Sequence, residues 1–145
     1  MKRLFYLMLM AIAVFATASA RDTYSRTPAV LPATAQAALK NFKAGVSIVK
    51  TDTNGGIVRD YEVIMTDGSE IEFDASGNWT AVEVGRGKAV PAAFVPAAIQ
   101  NYVKANHAKA RVIGIEKDRR GYDVDLSTGV DIKFDTAGNF IHVDR

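Results

Sequence analysis

The strongest constraint on this chain is that one phrase is written in it twice. "FDASGNWTAV" at residues 73–82 returns as "FDTAGNFIHV" at residues 134–143, an offset of 61. With Tyr61 laid on Tyr122, nine of 23 positions are identical between "YEVIMTDGSEIEFDASGNWTAVE" and "YDVDLSTGVDIKFDTAGNFIHVD". Upstream, "LPATAQAALKNF" lies over "VPAAIQNYVKAN" when Pro32 is placed on Pro96, an offset of 64. The difference of three residues falls between "TNGGIVRD" and "DRRG", and loops are where insertions are tolerated. The chain is therefore read as two copies of one unit, about residues 28–84 and 91–144.

Each unit begins with helical spacing. Leu31, Ala35, Ala38, Leu39 and Phe42 form one apolar stripe, and Val95, Ile99, Tyr102 and Val103 form the other. Pro32 and Pro96 mark the helix starts, where a missing N–H costs nothing. Four strands follow each helix. In the second unit they are expected at 111–116, 122–127, 130–135 and 139–144. Tyr61-x-Val63-x-Met65, Ser69-x-Ile71-x-Phe73, Tyr122-x-Val124-x-Leu126 and Val130-x-Ile132-x-Phe134 alternate with a period of two. The other face carries Glu62, Glu70, Glu72, Asp123, Asp125 and Asp131. Such alternation predicts an antiparallel sheet with one packed face and one wet face. The helices cover the packed face, giving an α+β domain of two layers. Leu39, Phe42, Ile71, Phe73, Val103, Val124, Ile132 and Phe134 are the expected core.

The first twenty residues read differently. Lys2 and Arg3 precede an apolar run from Leu4 to Phe15, which ends in Ala18-Ser19-Ala20. That is the layout of a secretory leader with an A-x-A cleavage site, and the run is too short to span a bilayer. Residues 1–20 are thus expected to be a signal peptide, and 21–145 one domain with no stable membrane insertion, in the periplasm or otherwise exported. With no cysteine, disulfides and thiolate chemistry are excluded. The chain carries 18 basic and 16 acidic residues, and without Lys2 and Arg3 the count becomes 16 against 16. A neutral domain with no basic stripe is a poor binder of nucleic acid.

Pro91, Pro96, Tyr102, Gly121-Tyr122, Gly129, Phe134-Asp135 and Gly138-Asn139 carry a further signal. So do their first-copy matches Leu31-Pro32, Tyr61, Gly68, Phe73-Asp74 and Gly77-Asn78-Trp79. Together they resemble the PepSY-like, β-lactamase-inhibitor-protein-like periplasmic proteins of Bacteroidetes. That resemblance implies two helix-plus-four-strand units and an eight-stranded antiparallel sheet with two helices on one face. It also implies inhibition or binding of another exported protein, with calcium as a proposed ligand of some members.

Two readings compete for "Asp-x-x-Gly-Asn". Asp74 and Asp135 could be calcium ligands, but an EF-hand loop needs several oxygen donors within twelve residues. One Asp and one Asn per loop fit a hairpin turn better, with Gly taking positive φ. On the wet face, the acids could meet a partner or a hard cation, or could simply be solvated. By strict alternation Trp79 and Phe140 lie on that same face, where exposed aromatics among charges are suited to binding. The expected partner-binding set is therefore Trp79, Phe140, Glu62, Glu72, Asp123, Asp125 and His142. His107 and His142 lack neighbours for a transition-metal site. No cofactor is expected, calcium being the alternative. G-x-S-x-G, P-loop and H-E-x-x-H motifs are missing, so the chain reads as a non-enzyme, with a hydrolase the lesser alternative. Asn78-Trp79-Thr80 and Asp135-Thr136-Ala137 match short glycosylation signals.

Overall fold

The computed structural model describes residues 20–144, so the leader reading lies outside the described residues except for Ala20. The described chain is an α+β fold with one antiparallel sheet of nine strands and two α-helices. Strand β1 spans Ala20–Ser25, and α1 spans Ala33–Leu39. Then come β2 (Val46–Asn54), β3 (Ile57–Met65), β4 (Glu70–Asp74) and β5 (Trp79–Glu83). Helix α2 is Ala97–Asn106, followed by β6 (Val112–Asp118), β7 (Gly121–Leu126), β8 (Asp131–Phe134) and β9 (Phe140–Asp144). The strands lie in the sheet in chain order, each antiparallel to the next.

The expectation of eight strands is corrected by β1. Its sequence, ARDTYS, has no apolar alternation, and its side chains from Arg21 to Tyr24 are exposed. It becomes a strand because β2 is nine residues long and leaves a row of backbone groups open from Val49 to Asn54, all of which β1 pairs.

Both helices pack on one face of the sheet. Leu31, Ala35, Leu39, Ile99 and Val103 form one buried cluster with Val49, Val63, Ile71, Phe73, Val82, Ile115, Val124, Ile132 and Phe134. Of the expected core only Phe42 departs. It is half-buried at the edge, 5.4 Å from the ring of Phe94. Pro32 and Pro96 stand at the N-cap positions, one residue before each helix, where their carbonyls accept from Gln36 and Gln100 at 3.0 Å. Gln36 and Gln100 also turn their side-chain amides back to Leu31 O (2.8 Å) and Val95 O (2.7 Å), fixing each chain entry.

Two irregularities matter for the surface. Between β4 and β5 the pairs Glu72↔Ala81 and Phe73↔Trp79 leave Thr80 as an extra residue. Between β8 and β9 the pairs Lys133↔His142 and Phe134↔Phe140 leave Ile141 extra. Each is a β-bulge, and each inverts the facing of the residue before it.

Candidate functional site

The repeated phrase is a turn in both places. Asp74 Oδ1 accepts from the backbone N–H of Ser76 (2.9 Å) and Asn78 (3.0 Å), and Oδ2 accepts from Asn78 Nδ2 at 3.2 Å. Asp135 does the same with Ala137 (2.9 Å), Asn139 (2.8 Å) and Asn139 Nδ2 (3.1 Å). These donors occupy the carboxylate oxygens that a calcium loop would have to offer. The Asn139 and Ala137 amides hold the Asp135 carboxyl below its ordinary range. Gly77 and Gly138 take φ of 88° and 83°. Because its Nδ2 is held by Asp74, the Asn78 amide of the glycosylation-like triplet is already engaged.

Trp79 and Phe140 are not on the acidic face, which corrects the period-two reading. The bulges at Thr80 and Ile141 turn them to the helix side, in register with Phe73 and Phe134. Trp79 meets Phe94 edge-on at 5.5 Å, and Lys117 Nζ sits 4.0 Å from its ring centroid. Phe140 stacks on Tyr102 at 4.9 Å, and Tyr102 in turn meets Phe134 at 5.3 Å.

What the open face does carry is two transverse rows. Cross-strand partners share a face, so register alone assembles them. The first row runs Glu70↔Glu83↔Gly114↔Asp125↔Asp131↔Asp144 across β4 to β9. No lysine or arginine stands in it. The second runs Lys50↔Glu62↔Glu72↔Ala81↔Glu116↔Asp123↔Lys133↔His142 across β2 to β9. Here the bases sit at the two ends. Lys50 reaches Asp22 (3.5 Å) and Glu62 (3.8 Å), and Lys133 reaches Asp123 at 3.1 Å. His142 Nε2 lies 3.0 Å from Asp144. Of the expected site residues, Glu62, Glu72, Asp123 and His142 thus share the second row, and Asp125 lies in the first. Glu83, Glu116 and Asp144 belong with them but were missed, because strand register is needed to see the rows.

The first row is crowded at Asp125. Gly114 opposite it has no side chain, and a Cβ there would lie 2.9 Å from Asp125 Oδ2. Desolvation, then the hydrogen bond and charge of Asp131, then Glu83 and Asp123, push the Asp125 carboxyl up to about 7. Desolvation also raises Glu70 and Glu72, and neighbouring carboxylates add to it. A carboxyl whose folded pKa lies above its unfolded value keeps its proton longer in the native state. Its contribution to stability is therefore full below the ordinary 3.8 and is lost as pH rises to about 7. The expected result is a chain that loses stability across that window, with Asp125→Asn flattening the decline. Denaturant titrations at three pH values measure it, and an unchanged slope in the variant would show that Asp125 is not responsible.

Charge is also divided between the two sides. Residues 26–45 and 84–111, which hold the helices and their flanks, contain Arg26, Lys40, Lys43, Arg86, Lys88, Lys104, Lys109 and Arg111 but no acidic residue. The near-zero total thus hides an acidic sheet face and a basic helix layer. Among the described residues no group of three histidine or acidic side chains converges as a metal cage.

Residues 59–142 match the family model described as "Putative beta-lactamase-inhibitor-like, PepSY-like". A "putative calcium-regulated periplasmic protein" from Bacteroides thetaiotaomicron is 36% identical with a TM-score of 0.77, over 86% of this chain and 97% of its own. Two proteins of Bacteroides vulgatus, each described as a "putative periplasmic protein", are similar as well. One is 31% identical with a TM-score of 0.78, over 86% of this chain and 100% of its own. The other is 39% identical with a TM-score of 0.76, over 86% and 97%. No curated protein matches the chain. Among the described residues no helix is long and apolar enough to cross a membrane. The periplasmic or otherwise exported location expected from the first twenty residues is the one these relatives share.

Proposed function

We propose, for a chain that belongs to this putative β-lactamase-inhibitor-like, PepSY-like family, a non-catalytic module that binds another exported protein. The binding surface is the acidic sheet face, and the partner presents a basic patch. Glu62, Glu72, Asp123, Asp125 and His142 lie in it. Trp79 and Phe140 act from the opposite side, as packing groups. The carrying observation is the first row, in which like charges face one another across neighbouring strands with no lysine or arginine between them. Like charges directly opposite cost stability, and features that oppose folding concentrate at functional sites. A cationic partner would relieve the repulsion. Among the described residues the carboxylates lie in rows along the strands and no three of them converge, an arrangement that favours binding over hydrolysis. We also read the fold as two copies of a helix-plus-four-strand unit. In its support, α1-β2-β3-β4-β5 and α2-β6-β7-β8-β9 follow in the same order, and the bulges at Thr80 and Ile141 are 61 residues apart.

The test is a variant in which Glu70, Glu83, Asp125 and Asp131 become their amides. It relieves three like-charge pairs, so it is expected to be more stable by roughly 1–3 kcal/mol at neutral pH. It should also lose capture of the exported partner from periplasmic extract. Capture by the native chain should weaken with salt, since it rests on charge. A variant that is no more stable and still captures the partner would refute the reading.

A second reading, a calcium-responsive module, draws on the Asp125–Asp131 pair and on the description of the Bacteroides thetaiotaomicron relative. The carboxylates are laid out in rows and do not converge, so they do not fit a preformed calcium cage. This reading requires calcium to raise the melting temperature of the native chain but not of the four-amide variant.

A further inference from the structure

The helix layer holds a groove of about 250 Å³, lined by residues that all fall between Val90 and Val112. Short pieces of chain build it. On one side, the segment before α2 is anchored to the start of β6, where Val90 N–H donates to Val112 O at 2.8 Å. That segment then makes a single 3-10 turn at Ala92–Phe94. On the other side stand the last turns of α2. The turn after them closes the end, with His107 N–H on Val103 O (2.7 Å) and Ala110 N–H on His107 O (2.9 Å). Gln100 ties the sides together, its side-chain amide donating to Ala92 O (3.2 Å) and Val95 O (2.7 Å). The groove is thus braced before any ligand arrives.

Its lining is aliphatic. Val90, Val95, Val103 and Val112 form it with three alanines, whose short side chains leave the space unfilled. Besides Gln100, the polar side chains in the lining are those of Lys104 and His107. Gln100, Lys104 and His107 follow helical spacing, so they fall on one stripe of α2 and the turn after it. Among the described residues no carboxylate pairs with Lys104 or His107, and residues 84–115 contain no acidic side chain. We infer that the groove binds a medium-chain aliphatic carboxylate, with the chain against the valines and the carboxylate between Lys104 and His107. Size sets the chain length. At roughly 30 Å³ for each water-sized group, the groove admits about eight heavy atoms. Even a tripeptide exceeds that. Charge sets the head group, because an apolar hollow edged by charge of one sign focuses its field on an ion of the other. A lysine at a helix end is not enough by itself, since it also complements the helix dipole. Lys40, which aligns with Lys104 at the offset of 64, stands at the end of α1 in that role and serves as the control.

The test is a titration of the exported chain with sodium octanoate, followed by backbone amide NMR. Saturable shifts confined to residues 90–112 are expected, with a dissociation constant on the order of 1 mM. Butanoate should bind at least about tenfold more weakly, because each buried methylene contributes roughly fourfold. Octanamide has the same size and no charge, and should bind roughly two- to fivefold more weakly than octanoate. Lys104→Met should show the same loss toward octanoate with an unchanged melting temperature, and Lys40→Met should bind octanoate as the native chain does. Shifts that do not saturate, or that fall outside the groove, would overturn the inference. So would octanamide binding as tightly as octanoate, or an equal loss in Lys40→Met, which would reveal only a general attraction of anions. An apolar tripeptide with a free carboxylate that binds more tightly than octanoate would overturn it too, by making a protein tail the occupant. These readouts lie on the helix side, so their outcome and that of partner capture by the acidic face are separate.

Discussion

Replacing Phe134 by alanine is expected to remove about 3–5 kcal/mol of stability, the usual range for a buried phenylalanine. Phe134 is 1% exposed. It sits where α2 meets β7 and β8, with Tyr102 edge-on at 5.3 Å and Tyr122 as its cross-strand partner. The site has little room to collapse. A Cβ on Gly121 would run into the Phe134 carbonyl oxygen, so the backbones are already in contact. A cavity that cannot close costs more than one that can. The denaturation midpoint should fall while the slope stays the same. A loss under about 1 kcal/mol would mean that Phe134 does not pack beneath the helix.

The second large effect is expected at Gly77. Gly77 and Gly68 have nearly the same backbone, with φ of 88° and 83°. Their surroundings differ. A Cβ on Gly68 meets nothing within 4 Å, whereas one on Gly77 would lie 2.8 Å from Pro32 Cβ and 3.1 Å from Ala35 N. Gly68→Ala should therefore cost only the left-handed backbone, about 1–2 kcal/mol. Gly77→Ala adds overpacking against the start of α1, a further 1–3 kcal/mol or so. Equal losses at the two positions would mean that the turn does not support the helix. The same contact recurs in the second half, where a Cβ on Gly138 would lie 3.0 Å from Ala98 Cβ. The motif that first suggested a metal loop is thus a spacer. Its Asp organises the turn, and its Gly lets the turn lie under a helix.

The aromatic pair shows how a sound pattern can mislead. Trp79 and Phe140 each stand three residues before a valine on the helix side, the buried Val82 and the exposed Val143, so strict alternation sends them to the opposite face. One extra residue in each strand sends them back. Both are then contacts of the helix layer, Trp79 edge-on to Phe94 and Phe140 stacked on Tyr102. Nothing in "GNWTAV" or "GNFIHV" announces a bulge, because the extra residue is recognised only against the strand it fails to pair.

The sequence by itself determined the α+β class, the order of a helix and four strands in each half, seven of the eight named core residues and the turn chemistry of Asp74 and Asp135. Each of these rests on local periodicity or on the steric needs of one residue, which a chain carries wherever it goes. Tertiary structure alone decided the rest. β1 is a strand only because β2 offers it an unpaired edge. The acids of β4 to β9 become rows only when register sets Glu70 by Glu83 and Asp125 by Asp131. Separated along the chain by loops and a helix, these carboxylates read as ordinary surface charge. Strand pairing brings neighbours to roughly 5 Å, and there lost solvent first, then the hydrogen bond and charge of Asp131, push the Asp125 carboxyl up to about 7.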